Sequence, residues 1–247
     1  MSETIVVLGL GEVGRPLLEL VQHAGKNALG VDVEPTTLPR KGETDVMHVC
    51  FPFELPDFVG EVARYAEELE PKLTVVNSTV AVGTTREVHA RIRRPVAYSP
   101  VRGKHSRMVE ELTKYRKYVG GSDETAAKAA AAHFESLGMP TRIVSSPETA
   151  ELAKLTETTY FGLLIAWAQE VERYCDVAGL DYDEVVSFYE EISFFPPVKY
   201  FPGAIGGHCV MPNIEILGRL TSSELLAALK ASNEQKKRRE AEQEEAA

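Results

Sequence analysis

The sequence predicts an α/β protein, with a Rossmann-type doubly wound parallel sheet followed by a helical domain built on one long central helix. Three observations predict this class. Short β-branched runs alternate with amphipathic segments over residues 1–145, which is typical of βαβ units. A glycine-rich turn directly follows the first of these runs, and after Ser146 a helical pattern continues to Gly179.

Seven segments of the N-terminal part are predicted strands. The first, "TIVVL", is a short β-branched run with the pattern of a buried parallel strand. The predicted strands are 4–8, 28–33, 46–51, 73–78, 95–99, 115–121 and 140–146, and the helices between them are 15–25, 58–71 and 123–138. This part, 1–145, is the predicted nucleotide-binding domain.

A helical domain is predicted for 146–232, and a charged tail for 233–247. The long helix begins with Ser146 as N-cap and Pro147 as first helical residue, or with Ser145 as N-cap and Glu148 completing a capping box. Further helices are predicted at 181–193 and 214–233. The Pro- and Gly-rich stretch 194–213 is predicted to contain no regular helix.

Composition restricts the class of partner. A formal net charge of −10 argues against nucleic acid or an anionic membrane, and the apolar runs are too short to span a bilayer. The N-terminus "MSETIVVLGLG" lacks the pattern of a secretory signal. Cys50, Cys175 and Cys209 have no zinc spacing, so reduced thiols in a cytoplasmic, metal-free protein are expected.

The turn "GLGEVG" fills the GxGxxG pattern with Gly9, Gly11 and Gly14. A strand precedes it, a helix follows it, and Asp32 lies about 20 residues further on, which predicts a dinucleotide site. Asp32 favours NAD over NADP, because a carboxylate repels a 2′-phosphate; an empty glycine turn is the alternative. The predicted cofactor-binding residues are Gly9, Gly11, Glu12, Val13, Gly14, Asp32, Pro52, Ser78 and Thr79.

Two further motifs follow predicted strands. In "NSTVAVGTT" the hydroxyls are those of Ser78, Thr79, Thr84 and Thr85; they line the ligand crevice of the sheet or start a capped helix. In "SPVRGKHS" the positive cluster is Arg102, Lys104 and His105, which indicates a phosphate or carboxylate partner or a solvated loop.

The long helix carries Lys154 and Thr158 on one face, since they lie four residues apart. A solvated lysine is the plain interpretation of Lys154. Around Trp167 the helix is apolar over much of its circumference, which predicts burial against a second subunit.

The stretch "PGAIGGHCVMPN" places Cys209 after two glycines and His208. Glycines permit close approach, and a neighbouring histidine favours a thiolate. From the local sequence alone an inert thiol is the better interpretation.

In this order, "GLGEVGRPL", "GVDV", "VNSTVAVGTT", "SPVRGKH", "ELAKLTETTYFGLLIAWAQEV" and "PGAIGGHCVMPN" resemble the nucleotide-sugar dehydrogenases, the family of UDP-glucose, GDP-mannose and UDP-N-acetylmannosamine 6-dehydrogenases. The resemblance covers residues 4 to 217 and implies two oxidations of a primary alcohol with NAD, a homodimer and a Cys209 nucleophile. It implies that Lys154 stabilises an oxyanion and Thr79 positions water and cofactor. The implied catalytic residues are Cys209, Lys154, Thr79, Thr158 and Asn213.

The chain departs from the family pattern at three of these motifs. Val101 replaces a glutamate, Thr158 an asparagine and Asn213 an aspartate, so carboxylates that order the hydrolytic water are missing. Also, a C-terminal nucleotide-binding domain of the family has no counterpart in this sequence. Three hypotheses therefore stay open: the two-step enzyme on a sugar-like substrate, a single-step β-hydroxyacid-type dehydrogenase using Lys154, and a non-catalytic NAD-binding protein.

Overall fold

The computed structural model of the chain describes residues 3–33, 36–103, 107–189, 192, 201–207 and 209–245. It divides into two compact units, Met1–Lys154 and Leu155–Ala247. None of the helices within the described ranges has both the length and the apolar character that crossing a bilayer requires.

The first unit contains a sheet in which the described strands follow the order β2-β1-β3-β4-β5-β6-β7. Their bounds are β1 Thr4–Leu8, β2 Asn27–Val31, β3 Val46–Val49, β4 Leu73–Val76, β5 Val96–Tyr98, β6 Lys117–Gly121 and β7 Thr141–Ile143. The first five strands pair in parallel. β6 runs antiparallel to β5, and β7 follows the direction of β6. The sheet is thus mostly parallel, and the predicted Rossmann-type fold class is confirmed.

Helices cover both faces of this sheet. They are α1 Gly14–His23, α2 Phe58–Leu69, α3 Thr84–Ile92, α4 Met108–Lys114 and α5 Glu124–Ser136. Ile5 and Val7 belong to the core layer of α1, α4 and α5, whereas Val6 and Leu8 belong to the layer of α2 and α3. Because side chains alternate across a strand, β1 is apolar from Ile5 to Leu8, and the sheet has a core layer on each face.

The long helix α6, Pro147–Ala178, begins in the first unit and continues into the second. The Thr149 N–H donates to the Ser146 hydroxyl at 3.2 Å, so the predicted N-cap is Ser146 rather than Ser145. Gly179 follows the helix with φ +67°, a left-handed conformation that glycine adopts without strain. Both predicted ends of the helix are confirmed.

The second unit continues with α7 Tyr182–Ser187, α8 Val210–Gly218 and α9 Glu224–Glu245. The single helix predicted at 214–233 is wrong, because α8 ends at Gly218 and the Ser223 hydroxyl caps a new helix by accepting the Leu226 N–H. α8 also begins inside the stretch predicted to lack helix, while much of that stretch lies outside the described residues. Beyond residue 232, where a charged tail was predicted, α9 continues and Asn233 and Lys236 are buried.

Candidate functional site

The glycine turn between β1 and α1 is held closed by its own backbone. Gly9 has φ +85°, and a Cβ on it would lie 2.7 Å from the Phe51 backbone nitrogen. A Cβ on Gly14 would lie 1.8 Å from the Gly9 carbonyl oxygen. Both positions therefore exclude any larger residue. Since Gly9 packs beside the residues that follow β3, the turn lies where the strand order reverses, which is where open α/β sheets bind ligands.

Gly11 differs from the other two glycines of the motif. A Cβ built on it meets no atom within 4 Å, so the protein's own packing does not require glycine there. Open space above an exposed backbone is what a pyrophosphate needs for close approach at a helix N-terminus. The residues present fit a dinucleotide at this turn.

Asp32 follows β2 and lies beside the same turn. The Leu10 N–H donates to Asp32 Oδ2 at 3.1 Å, and the Val33 N–H donates to Oδ1 at 2.9 Å. The carboxylate is exposed, so it can also accept hydrogen bonds from ribose hydroxyls. Glu12 is exposed, and Val13 is the N-cap residue of α1.

The other predicted cofactor residues follow β3 and β4. Pro52 is exposed and Thr79 half-buried. The Ser78 hydroxyl donates to the Phe51 carbonyl at 2.6 Å, with the Val49 carbonyl oxygen 3.3 Å away, so it connects the ends of β3 and β4. All these residues lie at the carboxyl edge of the sheet. In an open parallel sheet this is the edge at which ligands bind.

Glu151 makes buried contacts near Lys154 that the sequence does not indicate. It is fully buried on α6, and its carboxylate accepts from Gly83 N–H at 2.7 Å, Thr85 N–H at 2.9 Å and the Thr85 hydroxyl at 2.6 Å. Burial raises the pKa of Glu151 despite these bonds. Of the two alternatives predicted for Thr85, the helix start is the one observed: Thr85 lies in the first turn of α3 and its hydroxyl donates to Glu151. Thus α6 is fixed to the start of α3, one helical turn before Lys154.

A second feature that the sequence analysis missed is a network of buried polar side chains in the first unit. His48 Nδ1 lies 2.8 Å from Asn77 Oδ1, and its Nε2 lies 2.9 Å from Nε2 of His133. Lys117 donates to the carbonyls of Ser99 and Pro100, both at 2.9 Å. Burial lowers the pKa of Lys117 to about 7, and the charge of Lys154 acts in the same direction. No local sequence pattern indicates this network, because its residues are far apart in the sequence.

The loop after β5 is described only in part. Val101, where the family has glutamate, is 6% exposed in the apolar cluster of Met108 and Leu112. The guanidinium of Arg102 lies 5.7 Å from the ring centre of Tyr115. Lys104 and His105 lie outside the described residues.

Cys209 stands at the N-cap position of α8 and is half-buried. Gly206 and Gly207 before it are exposed, and Gly207 has φ +75°; His208 lies outside the described residues. A cysteine at a helix N-terminus is in a setting that favours the thiolate. Asn213 is buried on the same helix. Lys154 and Thr158 are both half-buried on α6.

The other two cysteines are poor candidates for chemistry. Burial raises the pKa of the Cys50 thiol to about 12, and Cys175 is buried with Val171 and Val186. The described site residues fall into two groups: the glycine turn, Asp32 and Lys154 belong to the first unit, and Cys209 and Asn213 to the second.

Comparison with known proteins gives a consistent result. Residues 148–235 match the central domain of the UDP-glucose/GDP-mannose dehydrogenase family. A Methanocaldococcus jannaschii protein named UDP-N-acetyl-D-mannosamine dehydrogenase is 24% identical over 85% of this chain. The chain spans 60% of that relative's length.

Solved structures share the fold. A UDP-D-ManNAc dehydrogenase from Pyrococcus horikoshii superposes with a TM-score of 0.82 at 21% identity, covering 94% of this chain and 68% of the other. A 3-hydroxyisobutyrate dehydrogenase from Mycobacterium tuberculosis gives 0.73 at 17% identity, covering 95% and 94%. The resemblance found in the sequence is confirmed by these matches, in which residues 148–235 match the central domain of the UDP-glucose/GDP-mannose dehydrogenase family.

Proposed function

We propose that the protein is an NAD-dependent dehydrogenase that oxidises a primary alcohol or aldehyde of a sugar-like substrate, with Cys209 as nucleophile. The observation that carries this proposal is the position of Cys209, at the start of α8 within the segment that matches the family's central domain. The names of the curated relatives point to a nucleotide sugar as the substrate class.

The cofactor is assigned to the glycine turn. Gly11 leaves room for the pyrophosphate, the N-terminus of α1 favours its charge, and Asp32 accepts from the ribose hydroxyls. Because a 2′-phosphate beside Asp32 would place two anions together, NAD is preferred over NADP. When bound, NAD supplies the hydride acceptor.

The chain's own residues have three roles in the proposed reaction. The Cys209 thiolate adds to the aldehyde carbonyl carbon and holds it as a thiohemiacetal, and later as a thioester whose hydrolysis releases the acid. Lys154 provides positive charge for the developing oxyanion. Thr79 positions water and cofactor, and Thr158 and Asn213 orient water and substrate. None of these three is a carboxylate, so hydrolysis of the thioester is the slow step.

A single-step reaction of the β-hydroxyacid type is the second candidate, since the chain spans almost the full length of a dehydrogenase of that fold. There Lys154 is the acid/base and Cys209 has no covalent role. A non-catalytic NAD-binding protein is the third.

The stoichiometry of NADH separates these candidates. The unmodified protein is incubated with NAD and either UDP-N-acetylmannosamine, UDP-glucose or 3-hydroxyisobutyrate, and NADH is counted per substrate consumed. Two NADH from a nucleotide sugar are expected, with Cys209→Ser losing the second while still binding NAD, because a neutral hydroxyl is a far poorer nucleophile. One NADH from the hydroxyacid, unaffected by Cys209→Ser, would replace this proposal by the second; no NADH with intact NAD binding would favour the third.

Iodoacetamide provides a test that needs no substrate. Cys209 should react before Cys50 and Cys175, since the latter two are a high-pKa thiol and a buried one, and bound NAD should alter the Cys209 rate. Equal reaction of the three cysteines in the folded protein would count against Cys209 as the nucleophile.

A further inference from the structure

The backbone that leads to Cys209 is held at Gly203, Ala204 and Ile205. The Ile205 N–H donates to Asn233 Oδ1 at 2.7 Å, and Asn233 Nδ2 donates back to the Ile205 carbonyl at 3.0 Å. This reciprocal pair uses both ends of one side-chain amide, as a neighbouring β-strand would. It fixes both the position and the orientation of the Ile205 backbone.

Two further side chains, Gln169 on α6 and Glu240 on α9, hold the same backbone. Together with Asn233 on α9 they form what we call the loop clamp. Gln169 Nε2 donates to the Gly203 carbonyl at 2.9 Å, and the Ala204 N–H donates to Glu240 Oε1 at 3.2 Å. Gln169 and Asn233 are both fully buried. Buried amides of this kind are costly unless all their bonds are made, so the clamp has one well-defined geometry.

The chain is anchored again immediately after Cys209. A Cβ on Gly162 of α6 would lie 2.6 Å from Val210 Cγ1, so α8 packs on α6 at close range. Val210 and Ile214 share an apolar cluster with Ile205 and Leu229 of α9. Cys209 therefore lies between two fixed points, with the exposed Gly206 and Gly207 on its N-terminal side.

From this geometry we infer that Asn233, with Gln169 and Glu240, is a positioning group that fixes the Cys209 loop for reaction. The inference rests on the proposed role of Cys209 and adds a function for α9, whose second half is otherwise a strongly charged surface helix. The two glycines supply access, and the clamp removes the freedom that those glycines would otherwise give the thiol. Misplacement of a reacting group by about 1 Å costs on the order of 100-fold in rate.

The test compares Asn233→Ala with Arg239→Gln as matched control. Arg239 also joins α9 to α6, through Asp176, and has no described contact with the clamped backbone. The first measurement is hydrogen exchange in peptides that cover residues 203–207. Asn233→Ala should speed exchange at Ile205 about tenfold or more, since its amide loses its acceptor, whereas Arg239→Gln should leave it unchanged.

The second measurement is the pH dependence of Cys209 alkylation by iodoacetamide. In Asn233→Ala the midpoint should rise toward that of an ordinary cysteine, about 8.5, because the thiol is no longer held at the α8 N-terminus. Asn233→Asp keeps the acceptor for the Ile205 N–H and should give an intermediate midpoint. With substrate, kcat should fall about 10- to 100-fold with KM for NAD unchanged.

The results separate the two claims. Native exchange and a native alkylation profile in Asn233→Ala would overturn the positioning role. Faster exchange in a protein whose native Cys209 shows no selective alkylation would support the clamp and refute the nucleophile. If Asn233→Ala does not fold, Gln169→Ala and Asn233→Asp decide by the same two measurements.

Discussion

Replacing Gly11 by alanine tests the cofactor site without disturbing the fold. A Cβ at this position meets no protein atom within 4 Å, and the backbone there is outside the left-handed region. A Gly→Ala change at such a position stabilises a protein by about 0.4–1 kcal/mol, through the unfolded chain. The Gly11→Ala protein should therefore have an unfolding temperature equal to or above that of the native protein.

The same methyl group would stand where the pyrophosphate approaches the backbone. We expect NAD to bind at least tenfold more weakly, equivalent to about 1.4 kcal/mol, as measured by isothermal titration calorimetry. Gly14→Ala is the contrasting change, because its Cβ would lie 1.8 Å from a backbone oxygen. Overpacking of this kind destabilises by roughly 1–3 kcal/mol or more. Native NAD affinity in a folded Gly11→Ala protein would refute the assignment of the site.

Three further predictions concern specificity, assembly and pH. Asp32→Ala should weaken NAD binding and reduce the ratio of NAD affinity to NADP affinity, as measured by calorimetry. Equal binding of both cofactors by the native protein would contradict the role of Asp32. On α6, the exposed aromatic residues Tyr160, Trp167 and Tyr174 are spaced seven residues apart, and their exposed fractions are 52%, 53% and 59%. Light scattering should therefore show a dimer of the native protein at micromolar concentration, and Trp167→Glu should dissociate it. A native monomer would exclude this interface. The pKa of buried Lys117 is about 7 in the fold against an ordinary value of 10.5, so the unfolded chain binds more protons between these values and native stability should rise with pH across that window. Relative to Lys117→Met, the native free energy of unfolding in urea should therefore increase from pH 7 to pH 9, and a constant difference would show that Lys117 is not desolvated.

Local signals were sufficient for much of the fold. β1, the glycine turn and the cap of α6 were predicted because each depends on neighbours within a few residues. The break at Gly218 was missed because apolar spacing continues across it, while the Ser223 cap decides where α9 starts. The reversed direction of β6 and β7 was not predictable, since strand direction depends on how the chain re-enters the sheet.

The candidate-site residues that the sequence indicates are those that form compact motifs. Asp32 is indicated because it follows the glycine turn at the spacing of a dinucleotide site. Cys209 is indicated because two glycines come shortly before it. Glu151, Lys117 and Asn233 did not stand out, because each acts through partners brought close only by folding. A lysine or asparagine in a polar segment is ordinarily solvated. Only the tertiary contacts show that Lys117 and Asn233 are buried instead.

The packing of the replaced family positions constrains the chemistry further. Val101 is an integral part of an apolar cluster, and a carboxylate there would lose its hydration without gaining a partner. Asn213 is likewise buried, at 3% exposure on α8. The fold therefore accommodates both residues in buried positions. In the proposed reaction, the water that attacks a thioester on Cys209 must therefore be activated by groups other than carboxylates at these two positions.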